Sequence, residues 1–211
     1  MSCCNVDGTD KYFSDQAERY VKRYRKKGLD STSERLLRGL ANLGVESRTV
    51  LDIGCGIGAL HLRLLKLGAT SAVGVEISEG MLEQAQQLAE EMGMHERVTY
   101  KRGDFAALDG EIEPADIVIL DRVICCYAHP EPLIEASAGK CKGLYAVSYP
   151  RDNLFGKFSF KSMSWFGELL RWSFHPYYHD PVQLELRFQR LGLTGVFSDE
   201  TPVWRIKIFR K

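Results

Sequence analysis

Apolar positions fall into short blocks along the chain, and the spacing within each block predicts an element. Residues 49–53 are a short apolar run with strand spacing, residues 57–67 repeat at helical spacing up to Gly68, and residues 72–76 form a second strand run. Met81, Ala85, Leu88, Ala89 and Met92 recur as one helix face with Gly93 as the stop, ahead of a third strand at 98–101. Residues 115–120 are unbroken apolar, as in a strand buried on both faces. A helical stretch at 132–138 then leads to a fifth strand, 144–149, that ends at Pro150. Upstream, Leu36, Leu37 and Leu40 lie on a helix that Ser31 or Ser33 would cap and that stops near Gly44. Five strand-then-connection units predict an α/β fold with a parallel sheet and helices on both faces.

The rhythm breaks after Pro150. Residues 151–180 are rich in aromatics, among them Trp165, Phe166, Trp172, Phe174, Tyr177 and Tyr178, with only weak helical periodicity, as in a cover inserted over a pocket. A helix at 181–191 precedes two strands, 193–198 and 203–209. In the second of these, Trp204, Ile206 and Ile208 face one way and Arg205 and Lys207 the other. The link of residues 199–202 is hairpin length, so this last pair should be antiparallel. The expected organisation is one domain: an N-terminal helical arm (1–44), a core (45–150), the aromatic insertion (151–180) and a C-terminal helix with hairpin (181–211).

Composition removes several function classes. At 211 residues, 45% hydrophobic and 27% charged with zero formal net charge, the chain can bury a large core, and its bulk charge draws it to neither nucleic acid nor an anionic membrane. No run approaches the roughly 20 apolar residues of a membrane span, and the start MSCCNVDGTD lacks the basic and apolar parts of a signal peptide, so the cytoplasm is expected. Peripheral membrane contact through the aromatic insertion stays open. The six cysteines, paired as Cys3/Cys4 and Cys125/Cys126 with Cys55 and Cys141 apart, match neither a disulfide framework nor a C-x-x-C zinc pattern, and no metal is expected.

The chemistry is concentrated in VLDIGCGIGAL, residues 50–60. A strand that ends in a glycine turn and opens a helix aims backbone N–H groups and a helix dipole at a ligand. As a bare pattern, Gly54, Gly56, Gly58 and Ala59 fit a dinucleotide loop, and Glu76 lies where a ribose-binding acid would. Asp52, two residues before the first glycine, suits a cationic amino group or a sulfonium better than a pyrophosphate. Asp104 closes the third strand with another acid, and the terminal hairpin replaces a second mononucleotide-binding half.

These stretches together resemble the class I S-adenosylmethionine-dependent methyltransferases: VLDIGCGIGAL their first motif, VGVEIS the second-strand acid, KRGDF the third motif and ADIVILDRV the fourth. The resemblance implies a Rossmann-like, mostly parallel seven-stranded sheet with a C-terminal antiparallel hairpin and S-adenosyl-L-methionine as cofactor. It implies that Asp52 and the backbone of Gly54, Cys55, Gly56 and Gly58 hold the methionyl part. Glu76 would take both ribose hydroxyls and Ile77 would pack on the adenine. Asp104, following Gly103, would accept from the adenine amino group, Phe105 would flank the ring, and Asp121 would border the methyl. The aromatic arm from Tyr12-Phe13, LDRVICCY and YAVSYPRD are similar to bacterial methyltransferases related to magnesium-protoporphyrin IX O-methyltransferases. Those enzymes have a histidine just beyond the fourth strand, where this chain has Cys125 and Cys126, so their acceptor is not carried across.

Methyl transfer mainly requires alignment, with a base only where the acceptor must lose a proton. Asp121, Tyr127, His129 and Tyr149 are the candidates for that base; Arg122 and Arg151 could pair with an acidic acceptor, and Tyr24 and Trp165 could pack on it. The cysteine pair Cys125-Cys126 could instead take a thiophilic ion, although buried thiols are the commoner use. The arm and the insertion would serve as lids. The expected activity is in-line methyl transfer to a small, aromatic or acidic molecule. Its rivals are a non-catalytic S-adenosylmethionine-binding module or partner subunit and, more distantly, an NAD-dependent dehydrogenase.

Overall fold

A computed structural model describes residues 6–152, 174 and 176–211. Two helices, α1 (Val6–Ser14) and α2 (Ala17–Lys27), precede α3 (Ser31–Leu43). Strands and helices then alternate as β1 (Thr49–Ile53), α4 (Ala59–Lys66), β2 (Ser71–Glu76), α5 (Glu79–Glu91), β3 (Val98–Arg102), α6 (Phe105–Leu108), β4 (Ala115–Asp121), α7 (Glu131–Gly139) and β5 (Cys141–Pro150). After the insertion come α8 (Pro181–Arg190), β6 (Thr194–Glu200) and β7 (Trp204–Arg210). The expected elements are all present with ends shifted by a few residues. Asp30, rather than Ser31 or Ser33, caps α3, because its Oδ1 reaches the N–H groups of Thr32 and Ser33 at 2.9 and 3.2 Å.

The seven strands form one sheet in the order β3-β2-β1-β4-β5-β7-β6. β1 to β5 run parallel and β7 joins β5 antiparallel, with β6 antiparallel beyond it. The seven-stranded, hairpin-ended sheet expected from the class I resemblance is therefore the one observed. Strand order reverses between β1 and β4, which opens a crevice at the carboxyl ends of the strands where α/β folds bind ligands.

Side-chain alternation divides the core into two layers. Ile117 and Ile119 of β4, with Leu144, Ala146, Ile206 and Ile208, pack under α3, α4 and α5. Val118 and Leu120, with Tyr145, Val147 and Tyr149, pack under α7 and α8. β4 is buried on both faces, as its unbroken apolar run predicts. On β7, Arg205 and Lys207 are half-buried, and both meet Glu185 of α8, at 3.4 and 2.7 Å.

The N-terminal arm is anchored to the sheet's carboxyl edge by polar contacts. Asp10 of α1 accepts from Glu79 N–H at 3.0 Å and pairs with Arg102 at 2.8 Å, while Ser14 Oγ accepts from Gly80 N–H at 3.0 Å. Gly80 is needed for this approach, since a Cβ there would stand 3.0 Å from Ser14 Cα. Among the described residues, no helix is long and apolar enough to cross a membrane.

Candidate cofactor and acceptor site

A cavity of about 400 Å³ opens at the switch point between β1 and β4. That is within the range of ligand pockets, about 300–1,000 Å³. One end is lined by Asp52, Gly54, Cys55 and Gly56, together with Glu76, Ile77, Gly103 and Phe105. The other end is lined by Tyr12, Phe13, Tyr20 and Tyr24 of the arm, by Asp30 and Ser33, by Arg122, and by Phe174 and Trp204. Asp121, Cys125, Cys126 and Tyr127 also line it.

The cofactor-type end is prearranged. Gly54 and Gly56 adopt φ of 65° and 54°, and Gly54 and Cys55 both donate to the Val75 carbonyl, at 2.7 and 3.1 Å. A Cβ at Gly56 would meet only open space, so its glycine is set by the left-handed backbone and leaves the loop surface clear for a ligand. Gly58 does not line the cavity. It turns the chain into α4, and a Cβ on it would strike His61 and Tyr100.

Glu76 is buried, and its Oε1 accepts from the N–H groups of Ile77 and Ser78 at 2.9 and 3.0 Å while Oε2 accepts from Gly56 N–H at 2.9 Å. Burial raises its pKa and these three N–H groups oppose the rise. Three of roughly four carboxylate lone-pair sites are thus occupied, so the expected two-hydroxyl contact would have to share one of them. Asp52 is likewise raised by burial, opposed by a hydrogen bond with His61. Cys55 is pushed well above an ordinary thiol by burial and by the nearby Asp52 and Glu76, which keeps it protonated and unreactive.

Besides Gly58, four expected residues lie outside the cavity lining. Asp104 is buried behind the wall, where its Oδ1 accepts from the Tyr127 hydroxyl at 2.5 Å and from Ala106 N–H at 3.1 Å. The contact expected of it with an adenine amino group is not presented to the cavity, although its neighbours Gly103 and Phe105 are. His129 is exposed and leads into α7, away from the cavity. Tyr149 is buried on the α8 side of the sheet and donates to Glu185 at 2.8 Å; burial and that carboxylate raise its pKa, which removes it as a base. Arg151 is held by Glu200 at 2.8 Å and by the Thr201 carbonyl at 3.0 Å. Trp165 lies outside the described residues.

Asp121 and Arg122 do line the cavity, but as parts of a closed network. Asp121 Oδ2 accepts from Ser33 Oγ at 2.6 Å and Oδ1 from Ser148 Oγ at 2.5 Å. Arg122 pairs with Asp30 at 2.8 Å and Asp121 at 3.2 Å. Burial pulls its pKa down, and the two carboxylates outweigh that and hold it above its ordinary value. Arg122 also takes a left-handed φ of 63°, and its N–H donates to Ser148 Oγ at 2.8 Å. Asp30, Ser33 and Ser148 were not among the expected residues; Asp30 alone carries a signal, as a cap-type residue directly before a helix. Phe174 packs against the arm, its ring centroid 5.2 Å from Tyr12 and 5.1 Å from Phe13.

A crevice at the sheet's switch point, lined by a glycine loop and strand-end acids, is where α/β folds bind ligands, and comparison with known proteins adds to that. Residues 50–142 match the family described as "Methyltransferase domain". Over 72 residues the chain is 39% identical to the ribosomal protein L11 methyltransferase of Photorhabdus laumondii, covering 34% of this chain and 24% of that protein. It is 33% identical over 93 residues to the Enterobacter protein of the same name, covering 44% and 30%. The chain thus spans less than a third of the length of these curated relatives.

The whole fold superposes on the magnesium protoporphyrin IX methyltransferase from Synechocystis PCC 6803 with bound SAH, with a TM-score of 0.78, 21% identity and coverage of 98% and 99%. An O-methyltransferase family 2 protein from Planctomyces limnophilus in complex with apigenin gives a TM-score of 0.69 at 18% identity, covering 94% and 61%. The fold is that of the class I S-adenosylmethionine-dependent methyltransferases, and residues 50–142, which hold the four motifs, are similar to a methyltransferase domain.

Proposed function

We propose that this protein transfers the methyl group of S-adenosylmethionine to a small acceptor. The observation that carries the reading is that one cavity is lined by a glycine loop with two buried acids, by the aromatic side chains of the arm, and by Asp121. The residues fit the cofactor. Asp52 suits its ammonium, Glu76 its ribose, and Ile77 and Phe105 offer apolar surface to a flat base. When bound, the cofactor supplies an electrophilic methyl on a sulfonium, and the protein's task is to align it with the acceptor for in-line displacement.

The aromatic side chains of the arm and Phe174 would exclude water from the acceptor. Asp121 accepts from two serine hydroxyls and Arg122, and the Tyr127 hydroxyl donates to Asp104, so both are already engaged within the protein. These engagements favour an acceptor that is nucleophilic without a protein base. Arg122 is already matched by two carboxylates, which favours an aromatic acceptor over an acidic one. The curated relatives match over 72 and 93 residues, under half of this chain and under a third of their own length, so the protein acceptor in their names is not carried over.

Transfer of labelled methyl from S-adenosylmethionine into a size-fractionated cell extract tests this. Label is expected in the small-molecule fraction and lost with Asp52→Ala. Label in the protein fraction would overturn the small acceptor, and tight cofactor binding with no transfer would favour a binding module.

A further inference from the structure

The glycine loop rests on a buried chain of polar groups that runs from Asp52 in the first motif to residues outside all four. Asp52 Oδ2 lies 2.9 Å from His61 Nδ1, His61 Nε2 lies 3.1 Å from the Tyr100 hydroxyl, and that hydroxyl lies 3.1 Å from the Ala85 carbonyl. His61 is 0% exposed and Asp52 is 2% exposed. The backbone makes room for the chain. A Cβ at Gly58 would stand 2.8 Å from His61 Nε2 and 2.9 Å from the Tyr100 hydroxyl, and one at Gly74 would stand 2.9 Å from the Tyr100 ring. Asp52 lines the cavity whereas His61 and Tyr100 do not, so these two can act on a ligand only through Asp52.

Counting protons along the chain leaves two arrangements. The Ala85 carbonyl can only accept, so a Tyr100 proton directed there makes the hydroxyl accept from His61 Nε2–H. A second proton then sits between Nδ1 and Asp52, and the pair is neutral overall. If Tyr100 instead donates to Nε2, the imidazole keeps one proton, on Nδ1, and the pair carries a full negative charge. The arrangements differ by one proton and one hydroxyl rotation.

The groups facing the pair are Cys55 on the loop, Glu76 ending β2, Tyr100 on β3 and Asp121 ending β4; Arg122 in the same cavity is engaged by Asp30 and Asp121. Burial among acids favours the neutral arrangement, while a cation set before Asp52 favours the charged one.

We propose that His61 and Tyr100 are positioning residues that make the cofactor site proton-linked: the Asp52–His61 pair holds a proton until the cofactor's ammonium docks on Asp52, then releases it. The inference rests on the S-adenosylmethionine reading. Because the bound state holds fewer protons, affinity rises with pH through the window of release, by up to about tenfold per pH unit.

Calorimetric titration of S-adenosylhomocysteine at one pH in phosphate and in Tris, whose ionisation heats differ, counts the protons released. The wild type should release close to one proton per site, and 5′-methylthioadenosine, which lacks the ammonium, should release none. His61→Gln, whose amide can still donate to Asp52, should release none; Tyr100→Phe should lower the release. Binding with identical heats in both buffers, or unchanged release in His61→Gln, overturns the inference while leaving the cofactor reading intact. No binding of S-adenosylhomocysteine overturns the cofactor reading, and the inference with it. The buffer and methylthioadenosine comparisons need only the wild-type chain.

Discussion

The two ends of the cavity are built in different ways. The proposed cofactor end comes from the turns directly after β1, β2 and β3, and backbone N–H groups fix the Glu76 carboxylate there. The acceptor end is assembled from distant parts of the chain: the arm, Phe174, and Trp204 at the start of β7, closed by side-chain contacts such as Asp30–Arg122 and Ser33–Asp121. An end made of strand termini is as rigid as the sheet that carries it. One held by side chains can be altered without disturbing the sheet, so the two ends should respond separately to mutation.

The largest expected effect is at the cofactor end. Glu76→Ala should weaken S-adenosylhomocysteine about 10- to 100-fold, since hydrogen bonds to a charged group contribute about 1.5–3 kcal/mol; calorimetry reads it. At the other end, Tyr20→Ala with Tyr24→Ala should lower methyl transfer roughly tenfold by opening the aromatic cover. The same double variant should leave S-adenosylhomocysteine affinity within about twofold, and an equal loss in both assays would erase the distinction between the ends.

Asp30→Asn probes the tie between arm and sheet. Asparagine still caps α3, so the helix should persist, while Arg122 loses one of its two carboxylates. Transfer should fall about threefold with cofactor affinity unchanged, as for a loss somewhat under 1 kcal/mol at a partly exposed pair.

The smallest effect lies away from both ends. Asp116 Oδ2 accepts from Thr49 N–H at 2.9 Å and Thr49 Oγ1 at 2.8 Å, at the opposite edge of the sheet. The backbone bond, then the side-chain bond, lower its pKa below the ordinary 3.8. A depressed carboxylate adds stability above its unfolded pKa and loses it as pH falls through the folded one. Thr49→Val should therefore cost about 1 kcal/mol at neutral pH, and the difference from wild type should shrink below pH 3.8 in denaturant melts. Neither cofactor affinity nor transfer should change.

The same division explains what the sequence made legible. β1, β2 and β4 stood out because parallel strands buried on both faces read as apolar runs, and Asp52 and Glu76 followed from their places at the ends of such runs. Asp104 has the right place in sequence, yet Tyr127, 23 residues on, pulls its carboxylate out of the cavity. His129 and Tyr149 have suitable chemistry, but the turn into α7 exposes one and strand parity points the other at α8. Asp30, Ser33 and Ser148 converge on Asp121 and Arg122 from separations of 26 to 92 residues, and no local spacing encodes that. His61 reads as one more residue of an amphipathic helix; only burial beside Asp52 gives it a role.

The central claim is that the glycine loop and its acids hold S-adenosylmethionine rather than a dinucleotide. Parallel calorimetric titrations of the wild type with S-adenosylhomocysteine and with NAD test it most directly. The account predicts one site for S-adenosylhomocysteine, weakened by Asp52→Ala and by Glu76→Ala, and no heat from NAD. Binding of NAD without S-adenosylhomocysteine would contradict it.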